Sequence, residues 1–383
     1  MTRLFITLIM AIMVLTACTD KGRNNAADNA TATTEATDTT AIAPKYAEGY
    51  KVKVIDGGIR LVDIKDPEGK SRKVYRFALL PAGADKALVP DGYTAITTPV
   101  KSVICMTSLQ LSNFICLEAY DFVSGITSTR HLFNKEMKTR LKAGKTTKIG
   151  IEGNFDNEVI MGISPDVIFI SPFKRGGYES MRETGIPLIP HLGYKETTPL
   201  GQAEWIKFTA MFIGREKEAA EKFAAIEKRY NELAKMAAGI KKRPTVFSGE
   251  IRGGNWYAVG GKSFLARLFN DAGADYFLKD DDRSGGVTLD FEEVYSRAEG
   301  ADFWRMVNSH EGTFSYDALK ASDARYAYFK AFKQKKVLYC NMKYTPFYES
   351  MPVQPDVVLA DMIHAFHPEL LPDHNPVYYS LLK

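Results

Sequence analysis

Hydrophobic positions alternate with polar ones in the first part of the folded chain. Val52, Val54, Ile59, Leu61, Val62 and Ile64 flank Asp56-Gly57-Gly58, and Val74, Tyr75, Phe77 and Leu79 follow a second turn at Pro67-Glu68-Gly69. Apolar positions two apart around such turns predict β-hairpins, and so an antiparallel extension over residues 46–98. From Pro99 the pattern changes. Short apolar runs at Val100–Met106, Val123–Ile126, Val167–Ile170 and Ile186–Ile189 alternate with helical segments at Leu109–Ala119, Asn157–Ile163 and Tyr178–Glu183. The run Val167-Ile-Phe-Ile170 is apolar on both faces and bounded by Pro165-Asp166 and Ser171-Pro172, as a fully buried parallel strand requires. A βαβ lobe over residues 99–199 follows.

Residues 200–243 carry helix periodicity only. Trp205, Phe208 and Phe212 repeat at helical spacing, Gly214 interrupts, and Phe223, Ile226, Tyr230, Leu233 and Ala237 resume the repeat before Gly239 and Pro244. Strand patterns return at Thr245-Val-Phe247 and Val337-Leu-Tyr-Cys340. Helices are predicted over Phe264–Asp271, with Ser263 as N-cap and Gly273 as stop, and over Pro355–Phe366. The predicted fold class is α/β. Two βαβ-type lobes with mostly parallel sheets, 99–199 and 244–383, are joined by a long connecting helix and preceded by the hairpin extension. The cleft between such lobes is the natural ligand site, and a single stiff crossing limits how far it can open.

The first 45 residues belong to neither lobe. Arg3 precedes an apolar stretch, Leu4–Leu15, that is too short to span a bilayer, and Leu15-Thr-Ala-Cys18 follows it. This is an export signal over residues 1–17. Its end resembles the bacterial lipobox, in which the cysteine takes a diacylglyceryl group and becomes the mature N-terminus, so Cys18 is the expected lipidation site. Residues 18–45 are then the lipidated cysteine and a tether of Ala, Thr, Asn and Asp, with too little apolar surface to offset its ordering entropy.

Composition adds limits. A 383-residue chain that is 45% hydrophobic and 25% charged is long enough for two cores, and a formal charge of +4 with no basic run calls for no nucleic-acid partner. Beyond Cys18 stand Cys105, Cys116 and Cys340, an odd number without CxxC spacing. They read as small buried hydrophobes, with a Cys105–Cys116 bridge left open.

Several of these segments together resemble a known family. The lipobox and tether are followed by Asn154-Phe-Asp-Asn-Glu158 leading to Ser164-Pro-Asp-Val-Ile-Phe-Ile170. Then come Pro199-Leu-Gly-Gln-Ala-Glu-Trp-Ile206, Gly260-Gly-Lys-Ser-Phe-Leu-Ala266 and Asp271-Ala-Gly-Ala-Asp275. The set is similar to the helical-backbone (class III) substrate-binding lipoproteins of bacterial ABC importers for cobalamin, haem and ferric siderophores. The resemblance runs from about Val100 to the C-terminus. The 46–98 extension lies outside the family core and resembles additions in Bacteroidetes members. The resemblance implies a monomer, lipid-anchored in the periplasm, that passes its ligand to an ABC permease and ATPase complex. It implies no intrinsic cofactor, the cargo being an iron or cobalt chelate.

A large metal chelate is held by flat aromatic faces and a few directed polar groups, among which Arg offers carboxylates a rigid fork. Matching the family's cleft loops onto this chain nominates Arg130, His131 and Phe173 on one rim, and Trp256, Arg283, Tyr344 and Phe347 on the other. His191, at a strand end, is a rival to His131. Ordinary core packing is the competing reading of each aromatic; Trp256, in the Gly-rich stretch Arg252-Gly-Gly-Asn-Trp256, is expected to face the cleft. The family's permease-docking acids fall on Glu179 and Asp323. Two alternatives remain: a zinc or manganese receptor of the related cluster, for which His364 and His367 have i, i+3 spacing, and a glycan- or protein-binding surface lipoprotein. No nucleophile elbow, P-loop, dinucleotide fingerprint or HExxH is present, so no enzyme is expected.

Overall fold

The computed structural model describes residues 42–127, 129, 132–151, 154–172 and 178–383, and at 179 and 180 the backbone alone. Cys18, Arg130, His131 and Phe173 lie outside the described residues. So does the side chain of Glu179, in the Tyr178–Arg182 helix.

The alternating segment forms β1 (Tyr50–Val54), β2 (Arg60–Lys65), β3 (Val74–Pro81) and β4 (Thr94–Thr98), hydrogen-bonded in that order. The two predicted hairpins are present, since β1–β2 and β2–β3 are antiparallel. The wholly antiparallel expectation is corrected by β4, which runs parallel to β3 after a crossover through residues 82–93. Val62, Ile64, Phe77, Leu79 and Ile96 turn one face of this sheet into the main core. Ile59, Leu61, Ala78 and Leu80 bury the other under the crossover.

In the first lobe β5 (Val103–Cys105), β6 (Val123–Ile126), β7 (Thr147–Lys148), β10 (Val167–Ile170) and β11 (Leu188–Pro190) form a parallel sheet in the order β11-β10-β5-β6-β7. A small ribbon, β8 (Gly150–Ile151) and β9 (Asn154–Phe155), follows β7. All four residues of β10 are buried, because helices cover both faces of a parallel sheet. Three helices, Pro199–Ala203, Trp205–Ile213 and Glu216–Ala238, make the connector.

The second lobe holds β12 (Thr245–Ser248), β15 (Asp275–Tyr276), β17 (Phe303–Asn308), β18 (Val337–Asn341) and β19 (Ser380–Leu381), in the order β15-β12-β17-β18-β19. Only β19 is antiparallel. An antiparallel ribbon of β13 (Glu250–Arg252), β14 (Asn255–Val259) and β16 (Gly286–Leu289) rises from the end of β12. The Phe264–Asp271 helix starts where Ser263 Oγ accepts the Ala266 amide, and the Pro355–Phe366 helix packs on the connector.

Two buried carboxylates bolt the extension to this frame. Glu204, fully buried, accepts the backbone amides of Lys45, Tyr46 and Ala47 and the Lys207 ammonium. Glu196 accepts the amides of Glu48 and Gly49 and the indole N–H of Trp205. Five successive amides are thus satisfied by two side chains more than 140 residues away, each a charge-assisted bond. Burial pushes the Glu196 carboxyl above its ordinary range, against the pull of those donors.

Candidate functional site

In open α/β sheets ligands bind beyond the carboxyl ends of the strands. Here the two sets of carboxyl ends meet. After β6, the backbone amides of Phe133 and Asn134 donate to Glu349, at 2.5 and 2.6 Å, in the Phe347–Ser350 helix that follows β18. Glu349 is 2% exposed, and burial raises its carboxyl while the two amides and Lys138 oppose the rise. At the opposite sheet edges the extension makes the link. Asp66 Oδ2 takes the Lys195 ammonium at 2.7 Å just after β11, and Glu68 accepts the hydroxyl of Ser284 in the loop after β15. The cleft therefore runs between the central strands, β10 and β5 on one side and β12 and β17 on the other, with a bridge at each end.

Its walls are braced from within. Gln110 Oε1 accepts the Met106 and Thr107 amides, its Nε2 donates to Ser171 Oγ, and Thr127 Oγ1 donates to the Met106 carbonyl. The loops after β5, β6 and β10 are thereby tied together. Across the cleft the Asn341 side chain accepts the His310 amide and donates to the His310 carbonyl, while Tyr344 Oη accepts the Gly312 amide at 2.9 Å. Loops fixed by such side-chain bonds present a preorganised surface.

The nominated residues separate on this geometry. Tyr344 stays at the rim, 56% exposed. Arg283 is exposed beside Ser284, its guanidinium already forked onto Asp281. Trp256 corrects the expectation. It is fully buried on β14, donates its indole N–H to the Ser248 carbonyl, and packs against Phe247, Trp304, Tyr326 and Phe329. Gly253 and Gly254, both at positive φ, form a tight hairpin turn and not an open loop, so β14 alternates: Trp256 inward, Tyr257 outward. Phe347 is likewise buried, its ring edge toward Tyr379, and the neighbouring Tyr348 carries the exposed face.

The remaining polar candidates are committed elsewhere. Asp323 caps the Arg325 amide and pairs with its guanidinium at 2.7 Å. His191 is buried against Trp205; its Nε2 takes the Asn113 amide at 2.8 Å, and burial lowers its pKa to about 3. His364 bonds the Leu371 carbonyl and His367 that of Gly273, so their spacing serves helix-end packing. Among the described residues no three His, Cys, Asp or Glu side chains gather as metal ligands. Cys105, Cys116 and Cys340 are free thiols, and burial pushes Cys116 and Cys340 up to about 11. Glu349 and Glu68 were not visible in the sequence, because their partners are backbone or hydroxyl groups more than 200 residues away.

The chain is similar to known proteins. The chain is 27% identical over 301 residues to the uncharacterized lipoprotein MJ0878 of Methanocaldococcus jannaschii, covering 74% of this chain and 69% of that one. To MJ0872 of the same organism, also an uncharacterized lipoprotein, it is 25% identical over 364 residues, covering 90% and 86%. Among solved structures the fold matches a periplasmic haem-binding protein of Pseudomonas aeruginosa with a TM-score of 0.58 and 16% identity, over 74% of this chain and 99% of that one. It also matches the molybdate-binding MolA of Haemophilus influenzae at 0.57 and 15%, over 73% and 90%. The vitamin B12-binding BtuF of Vibrio cholerae matches at 0.50 and 13%, over 72% and 99%. Residues 103–344, more than half of the chain, match the periplasmic binding protein family, and the chain belongs to it.

Proposed function

We propose that this chain captures an iron or cobalt chelate, such as haem, a ferric siderophore or a corrinoid, in its inter-lobe cleft and delivers it to an ABC permease while tethered to a membrane by lipidated Cys18. The observation that carries the reading is the opposition of two braced sets of strand ends, bridged at both edges by Glu349 and Glu68. Haem- and B12-binding proteins of this fold supply the class of cargo. Tyr344 and Tyr348 offer exposed aromatic faces at the second lobe's rim, the kind of surface a flat macrocycle stacks on. Arg130, His131 and Phe173 are the proposed contacts from the first lobe.

Delivery requires docking, for which Glu179 and Asp323 are the proposed acids. Asp323 pairs with Arg325, so its reversal would also break that contact. Absorption titration of the purified protein with haemin, cyanocobalamin and several ferric siderophores tests the cargo. One of them should bind at micromolar affinity or tighter with a shifted spectrum. Binding of none of them, with tight uptake of molybdate instead, would replace the chelate by an oxyanion, the ligand of MolA.

A further inference from the structure

The extension does more than decorate the first lobe. Its β2–β3 turn crosses the β11/β15 end of the cleft, where Asp66 holds Lys195 of the first lobe and Glu68 accepts from Ser284 of the second. Beside this bridge a chamber of about 190 Å³ opens between the turn and the ends of β10 and β11 in the first lobe. Asp66, Ser71, Lys73 and Tyr75 of the extension line one side; Pro172, directly after β10, and Lys195, after β11, line the other.

The charge there is uneven. Lys195 is neutralised by Asp66, and Lys70 lies 3.1 Å from Glu68. Among the described residues neither Arg72 nor Lys73 has a carboxylate partner; the Lys73 ammonium sits 4.6 Å from the centre of the Tyr75 ring. A ring face holds a cation in place without cancelling its charge. An unneutralised, oriented ammonium beside a hydroxyl, in a concavity that opens at strand carboxyl ends, is complementary to an anionic oxygen group.

We propose that the Asp66–Lys73 turn is a third wall of the ligand cleft and that Lys73 receives a negatively charged oxygen group of the ligand, a carboxylate or a phosphate. The extension thereby selects anionic ligands over neutral ones of the same shape. The alignment with MJ0872 covers 90% of the chain and so takes in a large part of the first 98 residues.

The proposal rests on the cleft being a chelate site, and the test separates the two. Haemin, with two ionised propionates, and its dimethyl ester, the same macrocycle without those charges, are titrated against the wild type and Lys73→Glu. Haemin should bind the variant at least tenfold more weakly, and the ester equally well. Equal haemin affinity for both proteins would overturn the wall. Should the wild type take up neither porphyrin, the haem form of the chelate reading fails, and the wall is judged without it. Lysine acetylation is then followed by mass spectrometry in the presence of citrate and of inorganic phosphate. Selective protection of Lys73, relative to Lys53 on β1, which is exposed as Lys73 is, supports the wall, and the more protective anion names the group. Equal labelling of Lys53 and Lys73 with either anion overturns it.

Discussion

At the β6/β18 end of the cleft a carboxylate that is 2% exposed receives two backbone amides; at the β11/β15 end one whose side chain is 12% exposed receives a serine hydroxyl and shares two lysines. Glu349 is part of the packing. Its donors cannot rotate away, and removing it leaves two amides to find water, at about 1–3 kcal/mol for each that stays dry. Glu68 is met by a hydroxyl and two ammonium groups, all on side chains that can rotate toward water. The first end is therefore expected to hold and the second to open. Ligand passage is expected on the extension's side.

The comparison presumes a rigid second lobe behind both ends, and the largest effect comes from removing that support. Trp256→Ala should cost about 3–5 kcal/mol in chemical denaturation, as for other fully buried large aromatics. A variant of unchanged stability with weakened ligand binding would return Trp256 to the cleft. Next, Glu349→Ala should lower both stability and ligand affinity, whereas Ser284→Ala should leave the melting temperature within a degree or two and change mainly the ligand release rate in stopped flow. Equal stability losses at the two ends would erase the distinction.

A pH effect comes third. Unfolded His191 takes a proton below about 6.5, but the buried imidazole resists it until about 3. The unfolded state thus binds the extra proton in that window, and stability falls as pH drops through it. His191→Gln should flatten the slope by one proton, about 1.4 kcal/mol per pH unit, in urea unfolding at pH 7, 5 and 4. An unchanged slope would mean that His191 is already solvated. The smallest effect belongs to Arg283→Ala: with its fork on Asp281, it should alter ligand affinity less than threefold by calorimetry.

Elements with local signals were legible in the sequence. The Phe264–Asp271 and Pro355–Phe366 helices carry their own start signals, Ser263 and Pro355, and β10 announces itself by being apolar on both faces. Trp256 misled because two glycines read as loop when they are a hairpin turn, yet Trp256 and Ala258 flanking Tyr257 already held the alternation of a strand. The Glu196, Glu204, Glu349 and Asp361 carboxylates carry no local mark at all. They accept backbone amides contributed by distant or folded-back segments, as Asp361 does from Val377, Tyr378 and Tyr379, and only the tertiary fold brings those together.

The central claim is capture between both lobes, and hydrogen–deuterium exchange of the wild type with and without its bound chelate tests it most directly. The account predicts simultaneous slowing at Met106–Gln110 and Phe133–Asn134 in the first lobe, at His310–Phe314 and Asn341–Tyr348 in the second, and at the Asp66–Lys73 turn. Protection confined to one lobe, or to surfaces away from the strand carboxyl ends, would contradict it.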